Sequence, residues 1–355
     1  MRVVSVVGAR PQFVKAAVVS RALRARHAEI LVHTGQHYDD NMSAVFFAQL
    51  GLPAPERHLG VGSGSHGRQT GVMLERLEAV IADERPDAVL VYGDTNSTLA
   101  GALAAAKLYV PVAHVEAGLR SFNRRMPEEV NRVVADHLSE WLLCPTETAR
   151  RNLEREGISR GVVVGDVMLD LLLQCVERLP PPDAALENLG VTHGNYYLAT
   201  IHRAENTDDL GRLSGILTAI GRLDRPVIFP VHPRTRRVLE SGGLGGSLSG
   251  GHVRLLEPLG YLDMLQLERH AAGILTDSGG IQKEAYFLGV PCTTARDETE
   301  WVETLEDGWN VIAGADPERL LAAARRARPT APTRPHFGTG DAAQRVVRQL
   351  EGAGV

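Results

Sequence analysis

Short runs of β-branched and aliphatic residues alternate with amphipathic stretches along nearly the whole chain, and this alternation limits the fold more than any other feature. Residues 3–7, 29–33, 87–92, 111–115 and 141–144 are such apolar runs. Between them, residues 11–26 and 67–84 carry apolar residues at helical spacing, and the first of these opens on a proline, which suits the first turn of a helix. Parallel strands need a crossover, so strand–helix alternation predicts an α/β fold with parallel sheets covered by helices on both faces. Pro180-Pro181-Pro182 interrupts the rhythm, which restarts with residues 196–201, 226–230, 253–256, 273–276 and 291–294. Two open parallel-sheet domains are therefore predicted, joined near residues 165–185 and enclosing a cleft. The expected boundaries are 1–170 and 171–339, with the C-terminal helix, residues 340–355, a candidate to pack back on the first domain. A length of 355 residues also exceeds what one core comfortably serves.

Charge and cysteine usage exclude several classes. The formal charge of -5 gives no overall field for nucleic acid, so any bound anion must be held by a local basic cluster. Cys144, Cys175 and Cys292 are odd in number, far apart and in no C-x-x-C pattern, which argues against a disulfide framework or a zinc site and fits a reducing compartment. The apolar start ends at Ala9 before Arg10, which is short for a signal peptide, and no apolar run approaches the roughly 20 residues that span a bilayer. A cytoplasmic protein without a membrane or nucleic-acid partner is expected. The Gly/Ser-rich stretch 241–251 lacks the Gly-Lys-Ser/Thr ending of a phosphate loop and reads as a surface loop.

Ligands of open parallel sheets bind beyond the carboxyl ends of the strands, and several chemically loaded strings fall there. The first strand runs into Gly8-Ala9-Arg10-Pro11, with Lys15 one turn further on; a helix N-terminus flanked by two cations can receive a phosphate. There is no G-x-G-x-x-G, so a dinucleotide is not indicated. Asp94 in Gly93-Asp94-Thr95-Asn96 and Glu116 in His114-Val115-Glu116 follow consecutive strands, and Glu128 opens a helix in Met126-Pro127-Glu128-Glu129. Each could serve only as a cap or dipole complement, but carboxylates at one sheet edge are candidate general acid and base. In the second half, His202-Arg203 and His232-Pro233-Arg234 each follow a strand. Thr276-Asp277-Ser278-Gly279-Gly280-Ile281-Gln282-Lys283-Glu284 sets small residues at a helix N-terminus, a suitable diphosphate cradle, with Glu284 one to two turns in to meet ribose hydroxyls.

Taken in order, Gly93-Asp94-Thr95, His114 to Arg120, Pro127 to Arg132, His202 to Asn206 and Asp277 to Glu284 resemble the non-hydrolysing UDP-N-acetylglucosamine 2-epimerases. The resemblance runs from Arg2 to about Ala313. It implies two Rossmann-like domains of the two-domain sugar-nucleotide glycosyltransferase (GT-B) type, a UDP-sugar ligand, a homodimer, and neither cofactor nor metal. It assigns proton handling to Asp94, Glu116 and Glu128, with His202 near the diphosphate. It assigns UDP to Arg10, Lys15, His232, Ser278, Gly279, Gly280 and Glu284, with Arg296 near the same cleft; Arg203, beside His202, is a further substrate-binding candidate. Three strings depart from the common pattern. Gly8-Ala9-Arg10-Pro11-Gln12 replaces Gly-Thr-Arg-Pro-Glu. Leu119-Arg120-Ser121-Phe122 replaces Leu-Arg-Thr-Gly. Trp301 follows Glu300 where arginine is common. These departures resemble the branch acting on UDP-2,3-diacetamido-2,3-dideoxyglucuronate.

The resemblance implies interconversion of UDP-GlcNAc and UDP-ManNAc by elimination and re-addition of UDP through a glycal. The uronate epimerase is the alternative, and a UDP-sugar glycosyltransferase the alternative of another class. For a uronate, Arg120, Arg124 and Arg125 are candidate cations for the sugar carboxylate and Trp301 a candidate packing surface; the plain alternatives are solvated loop charges for Arg124 and Arg125 and a core residue for Trp301. Some bacterial relatives use a neighbouring UDP-GlcNAc activator site. Gln36, His37, Arg68 and Gln69 match parts of it, while Asp39 stands where glutamine is usual, and activation is not expected.

Overall fold

In the computed structural model, which describes residues 1–36, 50–181, 183–242, 248 and 251–352, the apolar runs become buried parallel strands. The chain divides into two units, Met1–Gln174 with Pro335–Val355, and Cys175–Arg334. The first unit holds β1 (Arg2–Val7), α1 (Arg10–Arg24), β2 (Ala28–His33), β3 (Arg57–His58), α2 (His66–Glu84), β4 (Ala88–Tyr92) and α3 (Asn96–Lys107). It continues with β5 (Val112–Val115), α4 (Pro127–Leu138), β6 (Trp141–Cys144), α5 (Glu147–Arg155), β7 (Gly161–Val163) and α6 (Val167–Val176), the last running on into the second unit. Its seven strands lie in the order β3-β2-β1-β4-β5-β6-β7. Val4, Val6, Ile30, Val32, Val89 and Val91 pack on one face against Met73, Leu77 and Ile81 of α2 and the alanines of α3. The small residues of α3 let that helix lie close: a Cβ on Gly101 would stand 3.0 Å from Val91 Cγ1.

The second unit holds α7 (Asp183–Asn188), β8 (Tyr197–Thr200), α8 (Ala204–Thr207), α9 (Leu210–Gly221), β9 (Val227–Pro230), α10 (Pro233–Ser241), β10 (Val253–Leu256) and α11 (Tyr261–His270). Then follow β11 (Gly273–Thr276), α12 (Gly279–Leu288), β12 (Cys292–Thr294), a 3-10 segment (Val302–Gly308), β13 (Asn310–Ile312) and α13 (Pro317–Ala324). Its six parallel strands lie in the order β10-β9-β8-β11-β12-β13. Leu198, Ile228 and Ile274 face one core layer, while Tyr197, Ala199, Phe229 and Leu275 face the other, as the period of two requires of a sheet covered on both sides. The chain then returns to the first unit with α14 (Ala342–Leu350), which packs on α1. Its first turn is held by the Asp170 carboxylate, which accepts from Ala342 N at 3.1 Å and Ala343 N at 2.7 Å.

Ten of these strands are the predicted ones, shifted by a residue or so at their ends. β3, β7 and β13 are not among them. They are two or three residues long, too short to show a period, and lie at or beside the sheet edges. Both strand orders contain a switch point, between β1 and β4 and between β8 and β11. The connections after the two switch strands leave toward opposite faces and open a crevice at the carboxyl edge. No described helix is long and apolar enough to cross a membrane. The three cysteines are buried free thiols.

Candidate active site

The crevice of the first unit lies between the turns after β1 and β4. Gln12, in the first turn of α1, ties them together. Its Oε1 accepts from Gly8 N (2.8 Å) and Ala9 N (3.1 Å), while its Nε2 donates to Tyr92 O (2.9 Å) and Thr98 Oγ1 (3.1 Å). A glutamate at this position, as in the common family pattern, could not donate to a carbonyl when ionised. One turn on, buried Lys15 donates to Glu116 Oε2. Glu116 is only 6 % exposed and has φ +73°, a left-handed backbone that a non-glycine residue adopts at a cost and that clusters at functional sites. Gly93 passes beside this ion pair, where a Cβ would lie 2.9 Å from Lys15 Nζ and 3.1 Å from Glu116 Oε2.

Asp94 is held by an arginine that sequence reasoning left without a role. Arg132 donates to Asp94 Oδ2 from Nε at 3.0 Å and Nη2 at 2.6 Å. Burial works against ionising Asp94, but Arg132 and Lys15 outweigh it and keep the carboxyl below its usual range. The same guanidinium donates from Nη1 to Glu129 Oε2 at 2.8 Å. Glu129 in turn accepts from Ser121 N (2.9 Å), Ser121 Oγ (3.0 Å) and Phe122 N (2.9 Å), which fixes the loop before α4. Its neighbour Glu128 stands half-buried in the first turn of α4, with no hydrogen bond or ion pair among the described residues. Beneath them, fully buried His114 lies 2.7 Å from Gly93 O and 2.7 Å from Asp136 Oδ1, so the turn carrying Asp94 is fixed through β5.

The second unit builds its site at its own switch point. Asp277, fully buried after β11, accepts from His202 N (3.1 Å), Arg203 N (2.9 Å) and Asn206 Nδ2 (3.0 Å), and lies 3.3 Å from His202 Nδ1. Burial would raise this carboxyl, and the donors from His202, Arg203 and Asn206 bring it below the usual range instead. With Nδ1 turned to Asp277, His202 has Nε2 left for a ligand. The ring of His232 lies 5.4 Å from that of His202, and its Nδ1 accepts from Arg234 N at 3.1 Å. Ser278 caps α12 without a side-chain bond, so the first N–H groups of Gly279 and Gly280 stand open at a helix N-terminus, where an anion is favoured. Buried Arg296 lies 3.0 Å from Glu300 Oε2, and Glu300 Oε1 lies 3.9 Å from Arg203 Nη2. Glu284 is buried on α12 beside Tyr261.

Each half-site therefore gathers its own predicted residues: Lys15, Asp94 and Glu116 in one unit, His202, Arg203, His232, Ser278, Gly279 and Gly280 in the other. Two readings are corrected. Arg120 is no free cation: it is buried and donates to Asp136 Oδ2 at 2.7 Å and bidentately to Glu156 at 2.8 and 2.7 Å. Trp301 is core, with its ring 3.8 Å from Lys283 Nζ, and it fills the space a Cβ on Gly279 would need. Of the regulatory candidates, Gln36 accepts from Ser97 N (3.1 Å) and Oγ (2.7 Å). Gln69 donates to Gly62 O (2.9 Å) and accepts from Asn96 Nδ2 (2.8 Å). Arg68 is exposed, while His37 and the Arg10 side chain lie outside the described residues. No group of histidine, cysteine or carboxylate side chains suited to a metal occurs among the described residues.

A family profile described as UDP-N-acetylglucosamine 2-epimerase matches residues 21–351. A UDP-N-acetylglucosamine 2-epimerase homolog of Methanococcus maripaludis is 51% identical over 99% of each chain. The UDP-2,3-diacetamido-2,3-dideoxy-D-glucuronate 2-epimerase of Pseudomonas aeruginosa is 48% identical, again over 99% of each. The crystal structure of Methanocaldococcus jannaschii UDP-GlcNAc 2-epimerase in complex with UDP-GlcNAc and UDP superposes with a TM-score of 0.91 at 44% identity, covering 99% of this chain and 100% of that one. With its ordered motifs, its two parallel-sheet units and these likenesses in agreement, the chain belongs to the UDP-N-acetylglucosamine 2-epimerase family of isomerases.

Proposed function

We propose that the chain interconverts UDP-N-acetylglucosamine and UDP-N-acetylmannosamine by eliminating UDP and adding it back, with UDP retained throughout. The observation that carries this is the set of three carboxylates in three settings: Asp94 held ionised by Arg132, Glu116 locked against Lys15 on a left-handed backbone, and Glu128 half-buried with no partner among the described residues. The C2 proton of an N-acetylhexosamine is not beside a carbonyl, so direct abstraction is difficult. When the C1–O bond breaks with the C2–H bond, the C–H electrons form the C1=C2 double bond and UDP leaves with the C–O pair. Return of a proton to the other face of C2, with UDP oxygen re-bonding to C1, gives the epimer. Asp94 is a persistent anion at neutral pH, suited to accept the C2 proton rather than to donate one, and the three carboxylates between them supply the base and the acid on the two faces of C2. The open N-terminus of α12 and His202 would hold the departing diphosphate. A glycosyltransferase would not need the three acids. A homodimer in a reducing cytoplasm is the setting we take for it; the buried free thiols suit the latter.

The uronate reading rests on a separate observation. The relative named for the diacetamido uronate is as similar as the structure bound to UDP-GlcNAc, at 48% against 44% identity. With Arg120 committed to Asp136 and Glu156, exposed Arg124 and Arg125 are the loop cations left to meet a carboxylate. The test is kcat/KM for both UDP-sugars, with free UDP and the C2 epimer followed by NMR, on wild type and Arg125→Ala. Turnover of UDP-GlcNAc with a silent arginine change supports the first reading. Inert UDP-GlcNAc with a reactive uronate overturns it in favour of the second, because a cation built for a carboxylate discriminates strongly against a sugar lacking it.

A further inference from the structure

Five non-glycine residues among those described have positive φ: Arg85, Tyr109, Glu116, Phe122 and Asp307. Arg85 is the C-cap of α2, Tyr109 follows the C-cap of α3, and Asp307 lies at a kink of the 3-10 segment, all places where chains ordinarily turn left-handed. Glu116 opens the turn after β5, whereas Phe122 lies in neither a cap nor a turn; both are on the connection from β5 to α4. Glu116 belongs to the acid cluster. Phe122, at φ +59°, is 70 % exposed. It stands where the common family form has glycine, the residue that adopts this backbone without strain. A phenyl ring here is unfavourable twice, once for its backbone and once for its contact with water.

The backbone that carries the ring is nonetheless held by hydrogen bonds. Glu129 accepts from Phe122 N at 2.9 Å and from Ser121 N at 2.9 Å, and Asn123 N donates to Ser121 Oγ at 3.4 Å. Glu129 is gripped by the same Arg132 that holds Asp94, so the loop and the carboxylate are registered through one guanidinium. An exposed aromatic on a backbone registered to Asp94 through Glu129 and Arg132 is a preorganised contact for a ligand bearing an apolar face. The C–H face of a pyranose ring is such a surface, and on the proposed epimerase reading it is the group that must lie among these acids. We propose that Phe122 is a specificity-determining residue that stacks on the sugar ring of the UDP-sugar.

The experiment compares wild type, Phe122→Gly and Phe122→Leu in three measurements: calorimetric Kd for UDP, calorimetric Kd for UDP-GlcNAc and for the diacetamido uronate, and thermal stability. Phe122→Gly is expected to weaken binding of the accepted UDP-sugar by about tenfold. Its UDP affinity should stay within twofold, and its Tm should match or exceed wild type because the backbone strain is relieved. Phe122→Leu should fall between in sugar binding. Unchanged sugar affinity in Phe122→Gly overturns the proposal, as does an equal loss of UDP and UDP-sugar affinity. A lowered Tm makes the ring structural and overturns it too. Wild-type enzyme that binds a UDP-sugar without epimerising it would defeat the functional reading alone, since the ratio of affinities still decides the role of Phe122.

Discussion

Replacing Gly93 by alanine places one methyl group beside the Lys15–Glu116 pair of the proposed site. The backbone there has φ +62°, which for alanine costs about 1–2 kcal/mol relative to glycine. It cannot drift, because Gly93 N donates to Val115 O at 3.0 Å and Gly93 O meets His114 Nε2 at 2.7 Å. The new Cβ would lie 2.9 Å from Lys15 Nζ and 3.1 Å from Glu116 Oε2, so the Lys15–Glu116 pair must yield. Both contact atoms end flexible side chains and can give by a few tenths of an ångström, so the destabilisation comes mainly from the backbone, about 1–2 kcal/mol. Moving a proposed reacting group by even that much also lowers kcat, by up to about 10². Gly71 is the control: it sits inside α2 with nothing within 4 Å of an added Cβ, and alanine there should stabilise by about 0.5–1 kcal/mol. Stability by urea titration and kcat by coupled UDP-sugar NMR measure both variants. Gly93→Ala with stability within about 1 kcal/mol of wild type and kcat within about threefold would refute the reasoning from that contact.

Gln12→Leu should orphan the Gly8 and Ala9 backbone donors, while the Tyr92 carbonyl keeps its bond from Thr98 Oγ1, destabilising the first unit by about 2 kcal/mol in a urea titration; a neutral result would show that the clamp between the two turns is dispensable. Burial raises the Asp170 carboxyl to about 6, against the hydrogen bonds from Ala343 and Ala342. A raised acid stabilises the fold when protonated, and that contribution is lost as pH climbs through about 6, so the stability-versus-pH slope between about 4 and 6 should flatten in Asp170→Asn. An unchanged slope would remove Asp170 as its cause. Because Gln36 and Gln69 are engaged within their own unit, reverse-direction kinetics should be hyperbolic; sigmoidal rates relieved by traces of UDP-GlcNAc would contradict this.

The repeating apolar runs made the two sheets legible, because strands buried on both faces leave continuous valine- and leucine-rich segments. The return of α14 to α1 was not legible from pattern, since it depends on Asp170 receiving the start of a helix more than 170 residues away. Post-strand residues such as Asp94, Glu116, His202 and Ser278 could be found because topology sends strand ends to one edge. Arg132 was missed in its role although Glu129 and Arg132 form an i,i+3 pair on α4, because its other partner, Asp94, comes from a different strand connection. Asp277 was read only as part of a glycine string, although an acid just before a helix start, following a strand that pairs with β8, was a signal for holding His202 and Arg203. Arg120 misled because sequence shows a charge while burial is decided by partners, here Asp136 and Glu156; of the two readings of Trp301, sugar-packing ring or core, the structure has the core.

Turnover in deuterated water tests the central claim most directly. The enzyme is incubated with UDP-GlcNAc, or with the diacetamido uronate if that is the sugar turned over, and C2 and free UDP are followed by NMR. Elimination and re-addition should place deuterium at C2 of both epimers without accumulating free UDP. Glu116→Gln should slow that exchange by about 10² to 10⁴. Epimer formed with protium retained at C2, or steady release of UDP with free sugar, would contradict it.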